Sequence, residues 1–159
     1  MVNILSSNGE TFQEKPGMEQ LMDENFNDNN GYFTTMTTND PDYSVWLQFE
    51  LSKEVIVKQV LIFNNVLQAG GTRNLLLRVG NIKVHISKSY KEQNKQIEEN
   101  SQCSIWKMEG TIGERIDMRC HESQQGKFVS IQVMDKQIQI FGLTEVQIFG
   151  EGKKFDIHV

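Results

Sequence analysis

The residues able to carry chemistry are few, and their spacing does not assemble a catalytic site. The chain has three histidines, His85, His121 and His158, and two cysteines, Cys103 and Cys120. Nucleophilic catalysis needs a nucleophile, a base and a group that orients the base. His85 falls on the polar side of an alternating segment and His158 lies near the C-terminus, with no nucleophile motif beside either. No glycine-rich phosphate loop follows a strand and opens a helix, and Gly70-Gly71 reads as a turn. Two thiols cannot fill a structural zinc site, and their spacing fits no zinc motif. They read as a disulfide or as two reduced core thiols. The densest run of oxygen ligands is Asp23-Glu24-Asn25-Phe26-Asn27-Asp28-Asn29-Asn30-Gly31. Its carboxylates and amides suit Ca2+, which takes about six to eight oxygens. It is not an EF-hand, because no bidentate Glu closes the frame, and a solvated cluster of turn-formers has the same composition. The expectation is a protein that binds and does not catalyse.

Composition narrows what could be bound. A chain of 159 residues fits one domain, and a hydrophobic fraction of 38% supports one core. A formal net charge of -5 gives no general attraction for phosphate backbones, so nucleic acid is not an expected partner. No apolar run approaches the ~20 residues of a transmembrane helix. The N-terminus, Met1-Val2-Asn3-Ile4-Leu5, lacks the basic and long apolar regions of a signal peptide. An intracellular address is expected if Met1 is the native start. A secreted or cell-surface address is expected if Cys103 and Cys120 are bridged, because a bridge needs an oxidising compartment.

The elements that must hold these residues are strands. Leu47, Phe49 and Leu51 alternate with polar neighbours, as do Ile82, Val84 and Ile86. Ile116, Met118 and Cys120 repeat the pattern, as do Val129, Ile131 and Val133, then Thr144, Val146 and Ile148. Residues 55–63 are almost continuously apolar, which predicts a strand buried on both faces. With weaker segments at 33–37 and 75–78, about eight strands are expected. Polar, turn-rich stretches at 23–31, 64–74, 88–102 and 121–126 read as loops. One short helix is predicted at 17–23, where Met18, Leu21 and Met22 share a face.

Four segments resemble the discoidin (coagulation-factor type C) domains and, among them, the F-type, fucose-binding lectins. Val45-Trp46-Leu47-Gln48-Phe49-Glu50-Leu51 is similar to the family's Trp-Trp-x-Val-Asp-Leu strand. Val57-Lys58-Gln59-Val60-Leu61-Ile62-Phe63-Asn64 resembles the next strand, which ends at Asn in F-type lectins. Gly126-Lys127-Phe128-Val129-Ser130-Ile131 resembles Gly-Arg-Tyr-Val-x-Val. Leu143-Thr144-Glu145-Val146-Gln147-Ile148-Phe149-Gly150 resembles the closing Leu-Cys-Glu-Val-Glu-Val-Tyr-Gly, with Thr144 where the family has Cys.

The resemblance implies an all-β fold: an eight-stranded antiparallel jelly-roll β-sandwich over 1–150, with one short N-terminal helix and a tail at 151–159. It places Cys103 and Cys120 where F-type lectins carry a disulfide. It implies a structural Ca2+ held by Asp23, Asn25, Asp28 and Glu145. The family's sugar site uses one His and two Arg on neighbouring loops. Residues 34–38 contain no His, and Thr38 stands at that loop; Asn65 occupies the first Arg position. Arg78 fits the second, with Arg73 as another candidate. The implied function is a lectin-like module binding a glycan through loops around 34–40, 64–78 and 121–126. The departures at the sugar site support the alternative, an intracellular, for example ciliary, domain that docks a protein and binds no sugar.

Overall fold

A computed structural model describes residues 5–6, 33–36, 45–64, 80–89, 101–109, 114–133, 140–151 and 153–155. Every element among them is a β-strand: β1 (Leu5–Ser6), β2 (Phe33–Met36), β3 (Val45–Asn64), β4 (Gly80–Ser87), β5 (Ser101–Glu109), β6 (Arg115–Val133), β7 (Ile140–Gly150) and β8 (Lys153–Phe155). All pairings are antiparallel. The order is β2-β7-β3-β6-β4-β5, with β1 added on β3 and β8 on β7. Residues 153–155, read as part of a tail, therefore join the sheet. The helix expected at 17–23 and the strand expected at 75–78 lie outside the described residues.

Two strands are too long to lie flat. β3 has 20 residues and β6 has 19. Extended, 20 residues span about 66 Å, whereas a domain of this size is about 40 Å across. The β3–β6 ribbon accordingly folds over where its register breaks, between Glu50 and Val55. Ser52, Lys53 and Glu54 are exposed at the fold. The part of β3 before it lies in one layer with β1, the end of β6, β4 and β5. The part after it lies in the other layer with the start of β6 and with β7.

The core fills the space between the layers. Leu47, Phe49, Ile82, Val84, Ile86, Val129 and Ile131 come from one side; Val57, Val60, Ile62, Ile116, Met118, Val146 and Ile148 come from the other, and all are buried in one cluster. Period-two alternation places these residues inward, so the inward set matches the alternating residues of the sequence. Gly126 is needed where β6 passes the end of β4. A Cβ there would lie 2.6 Å from Ile86 Cγ2 and 2.6 Å from the Ser87 carbonyl oxygen.

Three expectations need correction. The segments 45–51 and 55–63, expected as separate strands, are one strand, as are 115–120 and 128–134 over their described residues. The stretch 121–126, expected as a loop, lies inside β6. Its polarity has a local cause. Val57 pairs with Gln124 and Gln59 with Arg119, so Cys120, His121, Glu122 and Ser123 bulge opposite Lys58 alone. A bulge leaves residues unpaired and breaks the alternation that sequence reading relies on. Finally, β5 falls in a region not read as a strand. Its register skips Cys103 between Val84–Ser104 and His85–Gln102, which turns Cys103 into the core next to buried Ser104. Two adjacent inward residues erase the period of two.

The outward face of the first layer is also shielded. Gln48, His85, Ser130 and Gln132 are each 2% exposed or less. Two hydrogen bonds link them in pairs across three strands. Gln48 Nε2 donates to Ser130 Oγ at 2.8 Å, and His85 Nε2 lies 3.1 Å from Gln132 Oε1. Buried polar groups are tolerated when bonded in this way.

Candidate functional site

The pairing registers put four connections at one end of the sandwich. In the second layer, β2 ends at Met36 opposite Ile140, β3 ends at Asn64 opposite Leu143, and β6 begins at Arg115 opposite Phe63. In the first layer, Val45 and Ile82 both face Val133, and Gly80 faces Glu109. The connections starting after Met36, Asn64, Glu109 and Val133 thus leave from the end opposite the fold of the ribbon. Candidate Thr38 follows Met36 by two positions, Asn65 follows Asn64, and Arg78 precedes Gly80 by two. The described strand ends nearest in sequence to Thr38, Asn65 and Arg78 thus lie at this end. Thr38, Asn65, Arg73 and Arg78 themselves lie outside the described residues. The third expected binding loop, 121–126, does not belong here: it is the strand and bulge of β6.

A polar corner sits at this end. Asn64, Thr144 and Glu145 are all 1% exposed or less. Phe63 pairs with Glu145, but Asn64 pairs with Leu143, so Thr144 is left over in the ladder. Its hydroxyl donates to the Asn64 carbonyl oxygen at 3.3 Å. The Asn64 N–H donates to the Glu114 carbonyl oxygen at 2.9 Å. Arg115, next along β6, is exposed. Sequence reading singled out Glu145 but not Thr144 or Glu114. The register shift that gives Thr144 its role leaves no trace in a pattern of period two.

Of the expected calcium ligands, Glu145 alone is described; Asp23, Asn25 and Asp28 lie outside the described residues. Glu145 fits a hard-cation site in its chemistry. It brings carboxylate oxygens to a fully buried position, and a buried carboxylate keeps its charge only against a compensating charge or donors. Among the described residues there is no cluster of three or more metal-binding side chains.

Toward the other end, Cys103 of β5 and Cys120 of β6 form a disulfide, with Cα atoms 4.3 Å apart. The β6 bulge presents Cys120 to β5. Close by, Gln124 Nε2 donates to the Gln102 carbonyl at 3.0 Å. Bridge and hydrogen bond tie the edge of one layer to the other.

No family model matches the chain, and no curated protein matches it. Solved structures do. The chain is similar to a fucolectin from striped bass (Morone saxatilis) serum, with a TM-score of 0.67 and 16% identity, covering 94% of this chain and 45% of that one. It is similar to a CBM32 module of Clostridium perfringens solved with GalNAc-β-1,3-galactose, with a TM-score of 0.64 and 11% identity, covering 94% and 95%. A fucose-binding module of Streptococcus pneumoniae gives a TM-score of 0.61 and 16% identity, covering 94% and 91%. The chain spans less than half the length of the fucolectin. At such identities the likeness shows the fold alone: an antiparallel β-sandwich of the kind these three modules have. Among the described residues no helix is long and apolar enough to cross a membrane.

Proposed function

We propose that this chain is a non-catalytic glycan-binding module whose ligand sits at the loop end of the sandwich. The observation that carries the proposal is the convergence of four connections on that end, in a fold shared with modules that bind fucose and GalNAc-β-1,3-galactose. Thr38, Asn65, Arg73 and Arg78 are the side chains assigned to the sugar. Arg78 and Arg73 offer planar, fixed donors to hydroxyl pairs, and Thr38 and Asn65 offer single hydrogen bonds. Such a site differs from the His and two Arg of F-type lectins, so its sugar need not be fucose.

Asp23, Asn25 and Asp28 would hold Ca2+ together with Glu145. The ion would supply positive charge beside a buried carboxylate and would pin the 23–31 segment to β7. Its role is structural. A bridge between Cys103 and Cys120 accords with a secreted or cell-surface setting.

The test is binding to a broad glycan array, with Ca2+ present and with Ca2+ chelated. A specific hit that weakens on chelation is the expected result. Absence of binding in both conditions would overturn the proposal and leave a protein-docking domain, the reading that the departures at the sugar site favour.

A further inference from the structure

Strand β3 ends at a residue whose two flanking peptides are each held by a neighbour. The Asn64 N–H is bonded to the Glu114 carbonyl, and the Asn64 carbonyl oxygen accepts from the Thr144 hydroxyl. Thr144 is fully buried. Valine has nearly the same shape and would bury no polar atom there. A hydroxyl in this position carries a desolvation cost unless it is bonded, and its bond goes to the last residue of β3. Three parts of the loop end meet at this residue. The segment beginning at Asn65 leaves from it, the connection before β6 reaches it through Glu114, and β7 reaches it through Thr144, next to Glu145.

We infer that Thr144 is a positioning residue for glycan recognition: its hydrogen bond holds the Asn64 carbonyl, and with it the direction in which the chain leaves β3. The inference rests on the glycan-binding proposal. Thr144 does not touch the sugar. It acts by lowering the freedom of the Asn64 peptide, so that less ordering remains to be done when the ligand binds.

The test compares the wild-type protein with Thr144→Val, which keeps shape and removes the donor, and Thr144→Ser, which keeps the donor. Hydrogen exchange is followed in the peptides spanning 64–79. Affinity is measured by titration with free fucose, galactose and N-acetylgalactosamine. Thr144→Val is expected to exchange faster at 64–65 and to bind about fivefold more weakly, the loss of one neutral hydrogen bond, while still melting cooperatively. Thr144→Ser is expected to restore both. A Thr144→Val protein with wild-type affinity overturns the inference alone, whatever its exchange. So does an affinity loss that Thr144→Ser fails to restore. A wild-type protein that binds none of the three sugars and nothing on the broad glycan array overturns the glycan-binding proposal, and the inference with it.

Discussion

The two ends of the sandwich solve the same problem with different chemistry. Each contains a register shift, and each gathers polar side chains around it. At the fold of the ribbon, the contacts run between long side chains at least partly in water. Lys127 pairs with Glu50, and Gln125 donates to Glu54 at 3.2 Å. At the loop end the Thr144 hydroxyl, sealed from solvent, bonds the Asn64 carbonyl, the Glu114 backbone carbonyl takes the Asn64 N–H, and buried Glu145 lies alongside. Contacts of the first kind are individually weak and replaceable. Contacts of the second kind are costly to place and costly to break. The difference separates an end that closes the fold from an end at which four connections begin.

The largest expected effect concerns the staple near the fold. A Cys103→Ala, Cys120→Ala double variant should lose about 3 kcal/mol of stability in the loop-entropy picture, seen as a lower denaturation midpoint. Loss of glycan affinity with no loss of stability would reverse the assignment of the two ends. At the loop end, Ca2+ at about a hundredfold excess over its Kd should stabilise the protein by about 2.7 kcal/mol. Glu145→Gln should reduce that gain sharply; an unchanged gain in a melting experiment would place the ion elsewhere. Gly126→Ala should cost about 1–3 kcal/mol, because the new methyl meets the Ser87 carbonyl. A neutral result in urea titration would show that β4 can give way. Lys127→Met is the smallest: under about 1 kcal/mol, since both partners are partly exposed. A larger loss would show that the solvated end is less tolerant than its contacts suggest.

The same contrast explains what the sequence made legible. Where one side of a strand faces the core without interruption, alternation identified the inward residues: Leu47, Phe49 and Leu51, or Ile82, Val84 and Ile86. Where a register shift intervenes, it did not. His121 to Ser123 read as part of a loop, and Cys103 with Ser104 concealed β5, because a bulge changes inward for outward within one residue. His85 read as part of a strand's polar side, yet that side is shielded, and His85 lies against Gln132 there as Gln48 does against Ser130. Periodicity reports that two faces differ in polarity; it does not report that both are covered. At the site, Glu145 was legible through its motif. Thr144 was not, since a threonine in a strand looks ordinary until its partner is seen to be the carbonyl of Asn64.

The ribbon of β3 and β6 has a further consequence. Both layers take their central strands from the same two stretches of backbone, and the partners within them are at least about 50 residues apart in the chain, from Phe63–Arg115 to Val45–Val133. Only the outer pairs, β4 with β5 and β7 with β8, join stretches close in the chain; the central pairing of each layer does not. Assembly must wait for a distant encounter, which places this protein among slow-folding topologies. Once formed, the layers cannot come apart in turn: pulling one open unzips the backbone that the other is built on.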